Sequence, residues 1–314
     1  MDRPVTTRIE SEKCTGCGRC VTICPSATLS LQEGKAAVTG DRSLSCGHCA
    51  AVCPEEAMTV GAIETAASRF TSFTADSRFL PEGAFDTAQL VRLMASRRSC
   101  RHFLERPVPL ALLEDLVKIG ITAPSGTNSQ VWTFTLLPDR RSVVALGDQV
   151  ARFFRRLNRL AGNAFLRNGL NLLGQRELAD YHRDYQKSVS EALDEREQTG
   201  RDRLFHGAPA AIVVGSGPGG STSREDALLA TQNILLAAHS LGLGSCLIGF
   251  AVAALQRSLR AKRFLAIPDN ERVHAVIALG TPAEAYLRQT GRKPPVQRVF
   301  TPPGDHAGPP GMAR

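Results

Sequence analysis

The sequence predicts an α+β protein of two domains, a small cysteine-rich domain followed by a larger one in which helices cover a sheet. The chain has 314 residues, about twice the length of an ordinary domain. Seven of its nine cysteines lie between Cys14 and Cys53, and the remainder alternates helical and strand-like apolar patterns. Hydrophobic residues make up 43% and charged residues 22% of the chain, which excludes disordered and fibrous classes.

The N-terminal cysteines have the spacing of iron–sulfur ligands. They form the run Cys14-x-x-Cys17-x-x-Cys20-x-x-x-Cys24-Pro25, in which three thiolates can hold one cluster and the fourth reaches another. A zinc site is the alternative, but zinc sites favour two separated cysteine pairs. The N-terminus lacks an apolar leader segment, so we expect a cytoplasmic protein, in which cysteines indicate metal or redox chemistry.

The cysteine segment contains an internal repeat with an offset of 29 residues. The offset relates four pairs of residues: Cys17 and Cys46, Cys20 and Cys49, Cys24 and Cys53, and Pro25 and Pro54. We therefore predict two copies of a half-domain within residues 1–63, each with a cysteine loop, a short helix and a strand. A core of this size needs help from metals to be stable. The segment resembles the bacterial two-cluster [4Fe-4S] ferredoxins.

This resemblance implies two clusters with crossed ligands. The first, a [4Fe-4S] cluster, would have four thiolate ligands: Cys14, Cys17, Cys20 and Cys53. The second would have three: Cys24, Cys46 and Cys49. Its fourth corner falls at Ser43, where the repeat of Cys14 would place a cysteine. Three outcomes stay open, namely a [3Fe-4S] cluster, a [4Fe-4S] cluster with an oxygen ligand, or no second cluster; we expect an occupied but altered site.

A linker at residues 64–86 separates the two domains, because the sequence there loses its periodicity and gains serine, threonine, alanine and glycine. The cysteine-rich domain is slightly acidic, so the net charge of +8 belongs to the larger domain. We place that domain at residues 87–300 and a proline-rich tail at 301–314.

Helical and strand-like segments alternate through the larger domain, which predicts a helix-covered sheet, an α/β sandwich. The helical patterns cover residues 88–97, 110–120, most of 142–203, and 222–241. The strand patterns cover 131–137, 210–214, 246–248 and 273–279. Thr222 and Glu225 have the spacing of a capping box.

Residues 215–220 satisfy the pattern G-x-G-x-x-G after a strand, as a dinucleotide site would. Such a site also needs an acidic residue about 20 positions later. The chain has neither Asp nor Glu between Asp226 and Asp269. We therefore expect a flexible loop at these residues.

Three stretches of the larger domain carry guanidinium and hydroxyl donors, which are suited to binding a phosphate group. They are residues 97–103 (RRSCRHF), 123–132 (APSGTNSQVW) and 242–250 (GLGSCLIGF), followed by Arg292 and Lys293. In this order the stretches resemble the FMN-dependent nitroreductase family over residues 88–300.

The family resemblance implies a role for each stretch. The phosphate and ribityl chain of FMN would be bound by Arg97, Arg98 and Ser99, with Arg101 nearby, and by Arg292 and Lys293. The ring or ribityl hydroxyls would be bound by Asn128 and Gln130, helped by backbone around Pro124 and Ser125. The backbone at Ile248 and Gly249 would face the reactive N5 edge. Cys100 and Cys246 are predicted to be buried neutral thiols, and no catalytic side chain is predicted.

Together the resemblances predict an iron–sulfur flavoprotein oxidoreductase. The clusters would pass electrons from a ferredoxin or similar low-potential donor, or NAD(P)H would donate directly, and FMN would reduce a nitro compound or a quinone. The alternatives are a reductive dehalogenase, an ene-reductase, or an electron-transfer subunit without its own substrate. We expect a homodimer. No nucleic-acid partner is expected, because no aromatic stacking pattern accompanies the arginines, and no apolar run approaches a membrane span.

Overall fold

The computed structural model describes residues 3–64 and 69–302, and in it the cysteine-rich segment folds as two interlocked β-α-β units. The first unit comprises β1 (Thr7–Ile9), α1 (Arg19–Ile23) and β2 (Leu29–Gln32). The second comprises β3 (Lys35–Val38), α2 (His48–Ala51) and β4 (Met58–Val60). Strand β1 pairs antiparallel with β4, and β2 pairs antiparallel with β3. Each ladder therefore joins a strand of one unit to a strand of the other.

The backbone repeats the sequence offset at the two cysteine loops. Gly18 and Gly47 precede the two short helices in the same left-handed conformation, with φ of 73° and 76°. Gly16 has φ of 71°, and a Cβ there would lie 1.9 Å from the carbonyl oxygen of Gly34, so only glycine fits. The equivalent position of the second copy is Ser45, which is also left-handed at φ of 52°.

The larger part of the chain is built on a four-stranded antiparallel sheet. Its strands are β5 (Trp132–Leu137), β6 (Ala210–Ser216), β7 (Gly244–Leu247) and β8 (Arg272–Gly280). Their spatial order is β5-β6-β8-β7, so β5 and β7 form opposite edges. Three interstrand spacings separate the two edges, which is roughly 14 Å across the sheet. Strand β6 is buried at every position, as expected for a central strand.

Helices cover both faces of this sheet, which confirms the predicted architecture. They are α3 (Thr87–Ser96), α4 (Leu110–Gly120), α5 (Arg140–Gly162), α6 (Ala164–Leu172), α7 (Glu177–Asp184), α8 (Gln186–Thr199), α9 (Ser223–Ser240), α10 (Gly249–Arg257) and α11 (Leu259–Phe264). Helices α4 and α9 pack with Ile212 and Ile277 of the sheet. Helices α5 and α10 pack on the other face with Val213 and Val276. None of the helices in the described ranges combines the length and hydropathy needed to cross a bilayer.

The predicted capping box at Thr222 is wrong. Thr222 does precede α9, but its hydroxyl donates to Asp226 Oδ1 at 2.9 Å and caps no backbone N–H. Asp226 also accepts the N–H of Gly126 at 3.0 Å. The carboxylate of Asp226 therefore bridges the turn at residues 126–128 and Thr222, which lies at the end of the loop that follows β6. That loop contains the end of the glycine-rich segment.

Part of the linker is fixed to the larger domain by a buried carboxylate. Asp115 on α4 is fully buried, and its Oδ2 accepts the backbone N–H groups of Thr71 at 2.8 Å and Ser72 at 2.6 Å. Its Oδ1 pairs with Lys118 at 3.1 Å. Burial alone would raise the pKa of Asp115, but these hydrogen bonds outweigh it and lower the pKa below the ordinary value. Linker residues 65–68 and tail residues 303–314 lie outside the described residues.

Candidate functional site

Four cysteines surround a small cavity between the two β-α-β units. They are Cys14, Cys17, Cys20 and Cys53, the set expected for the first cluster. The sulfur of Cys14 accepts the N–H of Ala36, and that of Cys53 accepts the N–H of Ala57, both at 3.4 Å. Hydrogen bonds from the backbone, with that of Ala36 the strongest, lower the pKa of Cys14, which favours the thiolate that binds iron.

A second cavity lies on the other side of the pseudo-symmetric pair, lined by the remaining three cysteines: Cys24, Cys46 and Cys49. Ser43 lines it as well, and its Oγ accepts the N–H of Ser45 at 3.0 Å. An oxygen thus occupies the place that a fourth sulfur has in the first cavity.

The two cavities fit clusters by the chemistry of their donors. The N–H of Thr28 donates to the sulfur of Cys24 at 3.4 Å. Ala57 makes the same contact with Cys53, and in both cases the donor lies four residues after the cysteine. Such N–H···S bonds are typical of cluster ligands and tune their potential. Within residues 3–64 and 69–302, no group of His, Cys, Asp or Glu has the arrangement that a single metal ion requires. The assignment of individual ligands stays a prediction.

Arginines converge beside the edge strand β7. Arg97 and Arg98 follow the end of α3 and line a cavity of about 510 Å³ with Ser245 of β7. Ser99 forms a β-bridge with Ser245, which fixes the arginines at this edge. Burial, followed by the positive charges of Arg98 and Arg292, lowers the pKa of Arg97. The free protein therefore concentrates positive charge at this site.

The arginine cavity fits the phosphate of FMN. The hydroxyl of Ser245 is buried, with the residue 1% exposed, and it has no hydrogen-bond partner among the described residues. A phosphate dianion would accept a hydrogen bond from that hydroxyl. Its negative charge would also relieve the repulsion among Arg97, Arg98 and Arg292. Lys293 follows Arg292 directly in the chain and is exposed.

A larger cavity of about 1440 Å³ begins where β7 ends. Ile248 and Gly249, predicted to face the flavin ring, line it at the start of α10. Much of the remaining wall is aromatic or aliphatic: Phe153, Phe154, Leu157, Tyr181, Tyr185 and Phe250. Arg101 also lines this cavity, so the structure places it apart from the cavity of Arg97.

The sequence offers Tyr181 and Tyr185 as residues that could face a substrate, with packing as the simpler interpretation, but it does not connect them to Phe154 and Phe250. The wall joins residues of α5, α7 and α10 that no short motif links. Phe154 and Phe250 meet edge to face, with ring centroids 5.4 Å apart. Tyr181 stacks on Phe154 at 6.2 Å and donates to Asn158 Oδ1 at 2.6 Å. Burial raises the pKa of Tyr181 to about 12, so it is a neutral phenol at ordinary pH.

The stretch at residues 124–130 does not meet the arginines within one chain. None of Pro124, Ser125, Asn128 and Gln130 lines the cavity of Arg97. The stretch leads into β5, the edge strand opposite β7. Its side chains instead bond to each other: Gln130 Nε2 donates to Asn128 Oδ1 at 2.8 Å, and Ser125 Oγ accepts the N–H of Gln130 at 3.2 Å.

Asn128 also joins the two domains. Its Nδ2 donates to the carbonyl oxygens of Leu44 at 3.1 Å and Ser45 at 3.0 Å, beside the second cysteine cavity. Arg3 donates to the carbonyls of Thr127 and Asn128, the latter at 2.7 Å. The sequence gives no signal of this contact, because its partners lie more than 80 residues apart in the chain.

Comparison with known families settles the class of the protein. Residues 94–281 match the model of the nitroreductase family, and residues 13–57 match that of the 4Fe-4S dicluster domain. The chain belongs to the nitroreductase family. It is an FMN-dependent oxidoreductase of nitroreductase type with an N-terminal iron–sulfur domain, as the sequence predicted.

Relatives of this nitroreductase-family chain cover most of its larger domain. An Archaeoglobus fulgidus protein provisionally named NADH dehydrogenase/NAD(P)H nitroreductase is 27% identical over 202 residues, 62% of this chain and 87% of the relative. The iodotyrosine deiodinase of Haliscomenobacter hydrossis is 25% identical over 220 residues, 68% of this chain and 88% of the relative. The Bacteroides fragilis nitroreductase with bound FMN shares the fold, with a TM-score of 0.50, 22% identity, and coverage of 68% and 99%.

The two cysteines outside the iron–sulfur domain are buried in the nitroreductase domain, as predicted. Cys100 is 5% and Cys246 is 3% exposed. Burial raises the pKa of both thiols, which keeps them neutral.

Proposed function

We propose that the protein takes single electrons from a low-potential carrier protein into its iron–sulfur domain and uses FMN to reduce a small aromatic acceptor, a nitro compound or a quinone. One observation carries this proposal. The cavity of Arg97 and the aromatic cavity adjoin the same strand, since Ser245 lines the first and Cys246 the second. A flavin with its phosphate at the arginines would extend its ring toward the aromatic cavity. When bound, FMN supplies the ability to accept electrons singly and release them in pairs.

The residues of the chain bind, orient and exclude water in this proposal. Arg97, Arg98 and Ser245 hold the phosphate, and the backbone at Ile248 and Gly249 faces the ring. The aromatic wall around Phe154 provides a planar, apolar surface for an aromatic acceptor and keeps water away from it. Tyr181, a neutral phenol whose hydroxyl donates to Asn158, adds its ring to that surface.

A homodimer would complete the flavin site. The arginines lie at the β7 edge and Asn128 lies before the β5 edge, so one chain presents its two sets of predicted FMN contacts at opposite edges of the sheet. Two copies related by a two-fold axis could bring the Asn128 stretch of one to the arginines of the other. The proposal places the protein in the cytoplasm, where its cysteines, all unpaired, stay reduced.

Reductive dehalogenation is the second candidate, favoured by the similarity to an iodotyrosine deiodinase. Its acceptor would also be aromatic, so the same cavity would serve it.

Anaerobic purification and reconstitution with iron, sulfide and FMN test the proposal. We expect about one FMN and seven or eight irons per chain. The reduced protein should then be offered a nitroaromatic, a quinone and an iodotyrosine, with a reduced ferredoxin and NAD(P)H compared as donors. Turnover of the iodotyrosine alone would favour dehalogenation, and turnover of none of the three would favour an electron-transfer subunit. Failure to retain FMN after reconstitution would contradict the proposed function itself.

A further inference from the structure

The contact between the two domains attaches the flavin stretch to one particular cysteine cavity. Asn128 donates to the carbonyls of Leu44 and Ser45, which lie between Ser43 and Cys46 in the chain. Ser43 and Cys46 both line the second cavity. The loops that carry Cys14, Cys17 and Cys20 of the first cavity take no part in these hydrogen bonds.

The backbone at this contact is strained on both sides. Ser45, Thr127 and Asn128 all have φ of 52°, in the left-handed region that residues other than glycine rarely adopt. Such conformations persist where surrounding contacts hold them, and they concentrate at functional sites. Here the hydrogen bonds from Arg3 and Asn128 are the contacts that hold them.

We propose that the second centre, held by Cys24, Cys46 and Cys49 with Ser43, is the one that exchanges electrons with FMN. Asn128 and Arg3 are the positioning residues that keep it beside the flavin stretch. This inference rests on the proposed function. A low-potential one-electron carrier protein is oxidised as it reduces the iron–sulfur domain. The second centre is then oxidised as it reduces FMN, and two such transfers with one proton from solvent give the two-electron-reduced flavin anion.

In the proposed homodimer, this sheet topology implies that the electron crosses between subunits. Asn128 lies before the β5 edge, whereas the arginines that hold the phosphate lie at the β7 edge. In the proposed homodimer, the flavin that lies beside residues 124–130 of one copy is held by the arginines of the other copy. The second centre of each chain serves the flavin of its partner.

Hydrogen exchange and redox titration test the positioning role of Asn128. In the reconstituted protein, Asn128→Ala should speed amide exchange in residues 43–46 and 126–130 about tenfold, as expected for the loss of one or two hydrogen bonds. Asn233→Ala is the matched control, because the Asn233 side chain donates to Thr122 of the same domain at 3.2 Å. Unchanged exchange in residues 43–46 of the Asn128 variant would overturn the positioning role.

A charge probe distinguishes the two centres. Asn128→Asp places a carboxylate beside the second centre, so its midpoint potential, followed by EPR, should become more negative while that of the first centre stays unchanged. An equal shift of both centres, or a shift of the first alone, would show that the second centre is not the one beside Asn128. These readouts do not depend on turnover, so they fail separately from the proposed function.

A heterodimer tests the crossing between subunits. One chain carries Arg97→Ala and Arg98→Ala, and the other carries Cys46→Ala. With crossing, the mixed dimer binds about one FMN, on the intact arginines of the Cys46 variant, and a reduced carrier protein reduces that flavin through the intact second centre of the other chain. A mixed dimer that binds FMN but cannot reduce it from the carrier would refute the crossing. Wild-type protein that binds no FMN would instead refute the proposed function.

Discussion

Replacing Arg97 with glutamine is expected to weaken FMN binding without destabilising the FMN-free protein. Burial and the charges of Arg98 and Arg292 lower the pKa of Arg97, which means that its positive charge is disfavoured before the phosphate binds. The substitution removes that repulsion in the free protein. In the complex it removes one guanidinium from a phosphate dianion.

The size of the effect follows from the kind of bond that is lost. A hydrogen bond to a charged group contributes about 1.5–3 kcal/mol. Because 1.4 kcal/mol corresponds to a factor of ten, the Kd for FMN should rise about 10- to 150-fold. Ser245→Ala removes one hydrogen bond to the same dianion, from a hydroxyl that has no partner among the described residues, so it should raise the Kd about 10-fold, at the lower end of that range.

Quenching of FMN fluorescence measures the Kd, and thermal unfolding without FMN measures stability. Arg152→Gln on α5 is the matched control, since it removes the same charge from an exposed position. Two results would refute the reasoning: an Arg97 variant that binds FMN as tightly as the Arg152 variant, or one whose FMN-free form unfolds several degrees lower. The second result would mean that Arg97 stabilises the fold.

Three further predictions concern the buried carboxylate and the two cysteine cavities. Asp115→Ala should lower the free energy of unfolding by about 3–5 kcal/mol in urea denaturation, whereas the exposed Asp76→Ala should cost less than about 1 kcal/mol. Because folding lowers the pKa of Asp115, its contribution is present above the ordinary carboxyl pKa of about 4. It is lost as the pH falls through the lower pKa of the folded protein, so the difference between wild type and the Asp115 variant should shrink there; a constant difference would contradict the assignment. Gly16→Ala, whose Cβ meets the Gly34 carbonyl, should abolish the first cluster and remove about four irons per chain in a colorimetric assay, and full iron content would disprove this. Ser43→Cys should give the second centre the EPR spectrum of an all-cysteine [4Fe-4S] cluster with about eight irons in total, and an unchanged spectrum would show that residue 43 does not face the cluster.

Much of the fold could be predicted from sequence because its signals are local. The offset that relates Cys24 to Cys53 reappears as two matching β-α-β units, and the apolar runs around Val213 and Val276 became central strands. The capping box failed for a local reason too: the Thr222 hydroxyl donates to the carboxylate of Asp226, one residue beyond the expected partner, and caps no backbone N–H.

The candidate site was predicted in composition but not in arrangement. Motif residues such as Arg97 and Asn128 could be chosen from the resemblance to the nitroreductase family, but the edge of the sheet on which each lies depends on strand order. Strand order is set by contacts between distant segments, for which a single sequence has no periodic signal. The aromatic wall around Phe154 was missed for the same reason, since its members share a cavity and no motif.

The differences between the two halves of the iron–sulfur domain limit how freely that domain could be exchanged. In the first half, Gly16 lets the chain pass Gly34, and its backbone hydrogen-bonds to Cys14. In the second half, Ser45 uses the same left-handed backbone to donate to Ser43 and to offer its carbonyl to Asn128. A symmetric two-cluster domain grafted in its place would carry a full set of thiolates. It would lack Ser43 and Ser45, whose hydrogen bonds shape the contact with Asn128. Domain swaps between such flavoproteins should therefore transplant residues 43–46 together with residues 125–130 as one inseparable unit.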